Sequence, residues 1–400
     1  MIDVLVVGTG EYVTGLANET VAKSDKSFGV VALSLFDMRA RGLVGNITLA
    51  GRNGARFEAI RRHFRENLKG AYPTLDVGFD ALPATDTVDP DAYKEALSRM
   101  PKGSCVMVFT PDDTHYRIAS DALDAGMHVL VAKPLVKRLA EHDALAQKSR
   151  EKGLLLMLEV HKRFDPIYAD AVDRIRGLGD FSYFNAYMSQ PKSQLETFRA
   201  WAGISSDISY YLNAHHIDLL VWALQDIARP VSVYATAATG VARQILDRPV
   251  EDTITLTVTW QNHQTNTTGT SIHTASWIAP PSDVHSQQRF FYMGHAGEIS
   301  VDQAHRGYTV ATDRNGFQSA NPLFMKYTPR EGRFAGQDGY GYRSLEHFVR
   351  SATKLRQKNT TLETLDKTLP TIANTRLTTA ILEAGYRSLQ KKVPISLENL

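Results

Sequence analysis

Ile2-Asp3-Val4-Leu5-Val6-Val7-Gly8-Thr9-Gly10-Glu11-Tyr12-Val13-Thr14-Gly15 is a short apolar run that passes into a glycine-rich turn. Such a run reads as a buried strand leading into a helix, here from about Val13. Gly8 permits a tight turn, and Gly10 lets the backbone approach a pyrophosphate. A helix N-terminus beyond them offers N–H groups and a positive dipole end to phosphates. Gly8, Gly10, Glu11, Tyr12 and Val13 are therefore candidate cofactor contacts. The third glycine of the usual fingerprint is Val13, and Gly15 comes two residues later. By itself the loop would also suit a structural turn. Its place at the first strand of a βαβ unit favours dinucleotide binding.

Further apolar runs follow at 46–50, 104–109, 128–131 and 154–158, with helical spacing at 56–68, 115–125 and 139–152. Short apolar strands interleaved with amphipathic helices imply a doubly wound parallel sheet with helices on both faces. From about residue 180 the pattern turns to long β segments at 181–188, 231–237, 288–292 and 298–301. Thr253-Ile254-Thr255-Leu256-Thr257-Val258-Thr259-Trp260 alternates with period two, as a half-buried antiparallel strand does. A helix at 208–224 interrupts the series, and 342–356 and 365–389 are helical. The expected division is an α/β dinucleotide domain, 1–134, and an α+β domain, 135–400. The last helices are expected to pack back on the first domain.

The composition, 43% hydrophobic and 22% charged, allows a sizeable core and shows no disordered tract. A net charge of +2 argues against nucleic acid or a membrane surface as main partner. The one cysteine, Cys105, lies in an apolar run and reads as a packing residue. No secretory leader or membrane span is evident, so the expected location is cytoplasmic. No Cys or His cluster has metal-site spacing, and no metal is expected.

The second strand comes late: about forty residues separate Gly10 from Arg52. Residues 24–45 must hold a helix extension or an extra loop. At the end of that strand an acid would hold the ribose hydroxyls of NAD. Here Ala50-Gly51-Arg52-Asn53 contains none. Arg52, with Asn53 beside it, could instead accept the 2′-phosphate of NADP. NAD(P) is thus the expected cofactor, with NADP favoured over NAD.

Thr110-Pro111-Asp112-Asp113-Thr114-His115 follows the 104–109 strand, and Ala125-Gly126-Met127-His128-Val129-Leu130-Val131-Ala132-Lys133-Pro134 comes next. Both loops fall at carboxyl ends of parallel strands, where ligands bind in open α/β sheets. Pro134 restricts the backbone that carries Lys133. Partly buried, that lysine would exchange protons near neutral pH. In order and spacing these pieces resemble the glucose–fructose oxidoreductase and inositol dehydrogenase family, often called Gfo/Idh/MocA. That family carries a Gly-x-Gly loop, Thr-Pro-x-x-x-His, Ala-Gly-x-His-Val and Glu-Lys-Pro. The glutamate of the tripeptide is Ala132 here. The resemblance implies a Rossmann domain and a second domain with a large open-faced, mainly antiparallel sheet used for homo-oligomer contacts, as a dimer or tetramer. It marks Thr110, Pro111, His115, Lys133 and Pro134 as cofactor contacts.

His161-Lys162-Arg163-Phe164-Asp165-Pro166 resembles the family's Asn-x-Arg-Phe-x-Pro segment, with His161 replacing the asparagine. His161 and Arg163 are candidate substrate contacts, although Lys162 and Arg163 would equally serve as structural cations. In the next helix Tyr211, His215 and Asp218 are related by i, i+4 and i+7 and should share a face. The family pattern there is Asp-x-Gly-x-His-x-x-Asp, so Tyr211 replaces a carboxylate and Asn213 a glycine. Carried over, His215 is the acid–base group, with an unperturbed pKa of about 6.5 suited to the task. Tyr211 and His216 are candidate substrate contacts. Trp277, His285, Tyr292, His295 and the 337–342 segment, with Tyr340, are ambiguous.

The resemblance implies reversible oxidation of a secondary alcohol on a sugar, polyol or related carbohydrate, with Lys133 and His215 handling the proton. Two alternatives stay open: an NAD-assisted glycosidase of the same fold, and a dinucleotide-bound sugar sensor without catalysis.

Overall fold

A computed structural model describes residues 1–17, 20–22, 26–313, 316–324 and 339–398. The chain folds as two compact units. The first is made of Met1–Leu135, Glu141–Phe164 and Pro322–Ala373; the second of Val136–Ala140, Asp165–Asn321 and Asn374–Leu400.

The first unit is built on six parallel strands: β1 Ile2–Val7, β2 Val44–Ala50, β3 Asp80–Leu82, β4 Cys105–Val108, β5 His128–Ala132 and β6 Leu156–Glu159. Their order is β3-β2-β1-β4-β5-β6. The order reverses between β1 and β4, so their carboxyl ends flank the crevice where doubly wound sheets bind ligands. Cys105 is fully buried in β4, and burial pushes its thiol pKa up. The unit exceeds the 1–134 boundary because β6 completes the sheet. Pro370 accepts a hydrogen bond from Leu158 N (2.8 Å), and Met157 bridges to Thr371. This return of the chain covers the edge of β6, which would otherwise expose unpaired backbone groups.

Two features of this unit differ from the sequence reading. The helix after the glycine loop is a single turn, Glu11–Thr14, ending at Gly15 in the left-handed region (φ 80°). A two-residue hairpin, Leu16–Ala17 with Thr20–Val21, follows, and the long helix begins only at Val31. This insertion accounts for the late second strand. The short strand β3 and the helix Ala92–Arg99 carry too few apolar residues to stand out in the sequence.

The second unit is built on a seven-stranded mixed sheet. Its strands are β7 Phe181–Pro191, β8 Ala228–Thr239, β9 Glu251–Asn262, β10 Thr268–Ala279, β11 Gln287–Gly294, β12 Gly297–Asp302 and β13 Ile395–Ser396. They lie in the order β12-β11-β7-β10-β9-β8-β13, with only β7 and β10 parallel among the described pairs. In β9 the alternation is complete: Ile254, Leu256, Val258 and Trp260 are buried, while Thr253, Thr255, Thr257 and Thr259 stay partly exposed. The buried face packs with helices Pro166–Ile175, Ala214–Ala223 and Arg376–Lys391 in one core.

The terminal helical stretch is broken. Helix Leu362–Asp366 stops before Pro370, which cannot donate a helical hydrogen bond, and Arg376–Lys391 starts afresh in the second unit. Helix Tyr340–Arg356 belongs to the first unit, where Tyr342, Leu345 and Phe348 join its core. The Tyr342 hydroxyl donates to buried Asp37 and accepts from Arg41 Nη1 (2.6 Å).

Candidate active site

The glycine loop is clamped between neighbouring strands. Gly8 N donates to Ala50 O (2.8 Å), and Phe109 N donates to Val7 O (2.8 Å). Gly8 has φ +116°, and a Cβ there would stand 2.1 Å from Phe109 O. At Gly10 nothing lies within 4 Å of a notional Cβ. The backbone is therefore open to a ligand at Gly10 and pressed against a strand at Gly8, which fits a cradle for a pyrophosphate. A one-turn helix adds little dipole, so any anion binding rests on loop N–H groups. Val13 is buried in the core, which removes its side chain as a ligand contact.

At the end of β2, Arg52 is exposed and its carbonyl accepts from Asp89 N (2.8 Å). The Asn53 side chain accepts from Ala55 N (3.0 Å), so its oxygen shapes the turn into helix Arg56–His63. Arg56, absent from the sequence reading, places Nη2 3.4 Å from Thr9 O in the glycine loop.

The loops after β4 and β5 are tied together by His115. Its Nδ1 lies 2.9 Å from Pro134 O, and its Nε2 lies 2.9 Å from Thr110 O. The ring is buried and both nitrogens face backbone carbonyls. His115 therefore braces the site and does not present a nitrogen to a cofactor, a correction to its expected role. The Thr114 hydroxyl lies 2.7 Å from both Thr110 Oγ1 and Pro111 O, which tightens the same turn.

Lys133 follows β5 directly and remains partly exposed. Burial of its ammonium dominates and pushes its pKa down to about 7. The carboxylates of Asp112 and Glu159 act in the opposite sense, and Lys26 and Lys162 reinforce the fall. A lysine poised there can give or take a proton at neutral pH.

Glu159 is a further member that sequence reasoning missed. It ends β6, is 3% exposed, and accepts from Ser344 Oγ (2.9 Å) and the Tyr12 hydroxyl (3.5 Å). Its Oε2 lies 3.4 Å from His161 Nδ1. The His161 ring stacks on Tyr340 at 5.5 Å and 16°. Arg163 and Lys162 are buried in the same short turn, His161–Phe164. The one available signal was a lone carboxylate closing the run Leu154-Leu155-Leu156-Met157-Leu158.

Comparison with known proteins finds a similarity that lies in this first unit. The model of the GFO_IDH_MocA oxidoreductase family, NAD-binding Rossmann fold, matches residues 2–160. Over that segment this chain is similar to the GFO_IDH_MocA family. A putative oxidoreductase, YceM of Salmonella typhimurium, is 35% identical over 85 residues, 21% of this chain and 27% of the relative. The scyllo-inositol 2-dehydrogenase (NAD(+)) of Bacillus subtilis is 32% identical over 109 residues, 26% of this chain and 32% of that protein. The chain thus spans about a third or less of the length of these two curated relatives. The crystal structure of GenD2 from gentamicin A biosynthesis in complex with NAD covers 99% of this chain and 96% of its own. Its TM-score is 0.67 at 20% identity, which shows a shared fold.

The second unit holds the other candidate residues. Tyr211 lies in a π-helical turn, Ser209–Asn213, ahead of helix Ala214–Ala223. Tyr211 packs among aromatic rings, 5.1 Å from Phe198 and 5.2 Å from Trp201. His215 is buried near the start of the helix. Asp218 Oδ1 accepts from Thr378 Oγ1 (3.2 Å), which ties this helix to Arg376–Lys391. His216 Nε2 lies 2.8 Å from the Tyr168 hydroxyl, with Phe290 edge-on to its ring. That is a core environment, so His216 leaves the substrate set.

Trp277 is core and donates to Glu251 O (2.6 Å); Tyr292 is also core, and His295 is exposed. His285 is partly exposed. Gln337 and Asp338 lie outside the described residues. Among the described residues no group of three or more His, Cys, Asp or Glu side chains could hold a metal ion, and no helix is long and apolar enough to cross a membrane.

Proposed function

We propose that this chain is an NAD(P)-dependent oxidoreductase acting on a secondary alcohol of a sugar, polyol or related carbohydrate. The observation that carries this reading is Lys133: an amine near its titration point, at the carboxyl end of a parallel strand beside an open glycine loop. The nicotinamide, when bound, supplies the hydride acceptor at its C4. Lys133, as the neutral amine, hydrogen-bonds the oxygen that becomes a carbonyl and shares with His215 in relaying its proton. His215 takes the hydroxyl proton in oxidation and returns it in reduction. The polyol class is supported by the inositol dehydrogenase among the partial relatives. Assembly into a homo-oligomer is assigned to the threonine-rich open face of the second unit's sheet, and light scattering on the purified protein tests it.

The direct test incubates purified protein with NAD+ or NADP+ and a panel of polyols and sugars, following reduced-nicotinamide absorbance. Turnover on a member of the panel is expected, and loss of it in His215→Ala. Cofactor binding without any turnover would move the assignment to a sensor. Glycoside cleavage with no net reduction would move it to an NAD-assisted glycosidase.

For the cofactor, Arg52, just past β2, and Arg56, near the glycine loop, support NADP as cations able to meet a 2′-phosphate. Replacing both with alanine is expected to weaken NADP+ binding by on the order of tenfold or more, with NAD+ changed far less. Calorimetric titration reads this directly. Equal weakening of both cofactors would defeat the assignment.

A further inference from the structure

A buried carboxylate must be met by donors, because its oxygens only accept. Glu159 closes β6, whose other residues, Leu156, Met157 and Leu158, are all buried. Its two oxygens are served separately. Oε1 accepts from Ser344 Oγ (2.9 Å) and from the Tyr12 hydroxyl (3.5 Å). Oε2 lies 3.4 Å from His161 Nδ1. That second contact is a hydrogen bond to a carboxylate only if Nδ1 carries the hydrogen. A neutral imidazole has a single N–H, so Nε2 is then an acceptor. The ring is also crowded by others. Tyr340 lies nearly parallel to it at 5.5 Å and Tyr12 at 6.3 Å, while Phe324 tilts against it at 5.5 Å. All of these side chains belong to the first unit. Tyr12 lies in the helical turn that follows Gly10, so the His161 ring stands beside the glycine loop. The His161 side chain is still 14% exposed, which leaves it within reach of a ligand.

We propose that Glu159 is a positioning residue for His161, and that it makes His161 a hydrogen-bond acceptor for a ligand at the glycine loop. By accepting Nδ1–H, Glu159 fixes both the tautomer and the orientation of the ring. Nε2 then accepts an O–H or N–H donor. This role rests on the reading of the loop as a dinucleotide site. Two sources offer such a donor: the amide or ribose groups of the dinucleotide, and the hydroxyl of an alcohol substrate. Without Glu159 nothing printed in the contacts of Nδ1 would choose between the two tautomers. The ring would then offer an N–H where the ligand also offers one, and the two donors would oppose each other.

Nitrogen NMR of the full chain, isotope-labelled at histidine and free of cofactor and substrate, reads the tautomer directly. It is recorded at about pH 9, where imidazoles in general are neutral. His161→Phe identifies the His161 signals by their loss. In the wild type the proton is expected on Nδ1. Glu159→Leu, which suits the apolar strand, is expected to move it to Nε2, the position that ordinary imidazoles prefer. Glu159→Met serves as a second variant should the leucine fail to fold. Glu159→Gln keeps an acceptor and is expected to keep the proton on Nδ1. A wild-type proton on Nε2 overturns the proposal, and so does an Nδ1 proton that persists without any acceptor at 159. A carboxylate with a purely structural role would leave the tautomer unmoved. His161→Phe also keeps a ring in the stack while removing both nitrogens. If the donor belongs to the cofactor, calorimetry is expected to show dinucleotide affinity lowered by about tenfold. If it belongs to the substrate, KM is expected to rise by about tenfold with dinucleotide affinity unchanged. Both constants unchanged would overturn the acceptor role. Because the tautomer is read without ligand or turnover, an Nδ1 proton in a chain that reduces no nicotinamide would sink the oxidoreductase reading and leave the hold of Glu159 on His161 standing.

Discussion

Lys133→Met is expected to lower kcat by about 10²- to 10⁴-fold while the protein still binds dinucleotide, the span that positioned acid–base groups usually supply. Methionine keeps the unbranched stem and removes the amine. In the wild type, the rate of alcohol oxidation is expected to rise with pH through about 7, as the Lys133 ammonium loses its proton. Carbonyl reduction should fall over the same range. The variant should lose both dependences. Stability carries the opposite signature. The folded-state pKa of Lys133 is depressed from 10.5 to about 7, so the unfolded chain binds more protons between those values. Stability therefore climbs with pH across that window, and the cost of the buried ammonium is fully present below about 7. Lys133→Met removes that cost, so at pH 6 the inactive variant should melt higher than the wild type. An active variant, or one that melts lower at pH 6, would contradict this account of the lysine.

Gly8→Ala is expected to unfold much of the first unit, whereas Gly10→Ala folds normally and loses cofactor. The two glycines share a motif but have different surroundings. At Gly8 the backbone has φ +116°, and an added Cβ meets the Phe109 carbonyl oxygen at 2.1 Å and its carbon at 2.7 Å. Those atoms belong to the backbone next to β4, so relief would require β1 and β4 to part. A positive-φ penalty of about 1–3 kcal/mol adds to that clash. The sum is a large fraction of a domain's total stability of roughly 5–15 kcal/mol. At Gly10 a methyl group meets nothing, so the melting temperature should hold. The same methyl would stand where a pyrophosphate must approach, so dinucleotide affinity should fall by on the order of a hundredfold. Thermal melts and dinucleotide titrations on both variants separate the two roles. Equal effects would refute the division of labour.

The doubly wound sheet was readable because its strands are short apolar runs bounded by turns, and β9 was readable because threonine alternates with apolar residues. The inserted hairpin at Leu16–Val21 was not, since two-residue strands leave no periodic trace. The π turn at Ser209–Asn213 was hidden for a related reason: its widened spacing comes from backbone geometry, and a 3.6-residue template reads through it. Loops that meet in space explain the rest. His115 looked like a ligand contact by its place in the sequence, yet both nitrogens are taken by carbonyls from two different loops. His216 is held by Tyr168, 48 positions earlier. Glu159 meets Ser344, Tyr12 and His161, groups from three segments that only the fold brings together.

Transfer of isotope tests the central claim most directly. A panel substrate deuterated at its carbinol carbon would be incubated with the protein and NAD+ or NADP+, and the reduced nicotinamide examined by proton NMR. The account predicts deuterium at C4 of the nicotinamide in wild type and none with Lys133→Met. Cofactor bound by the wild type but left unreduced on every substrate would contradict it.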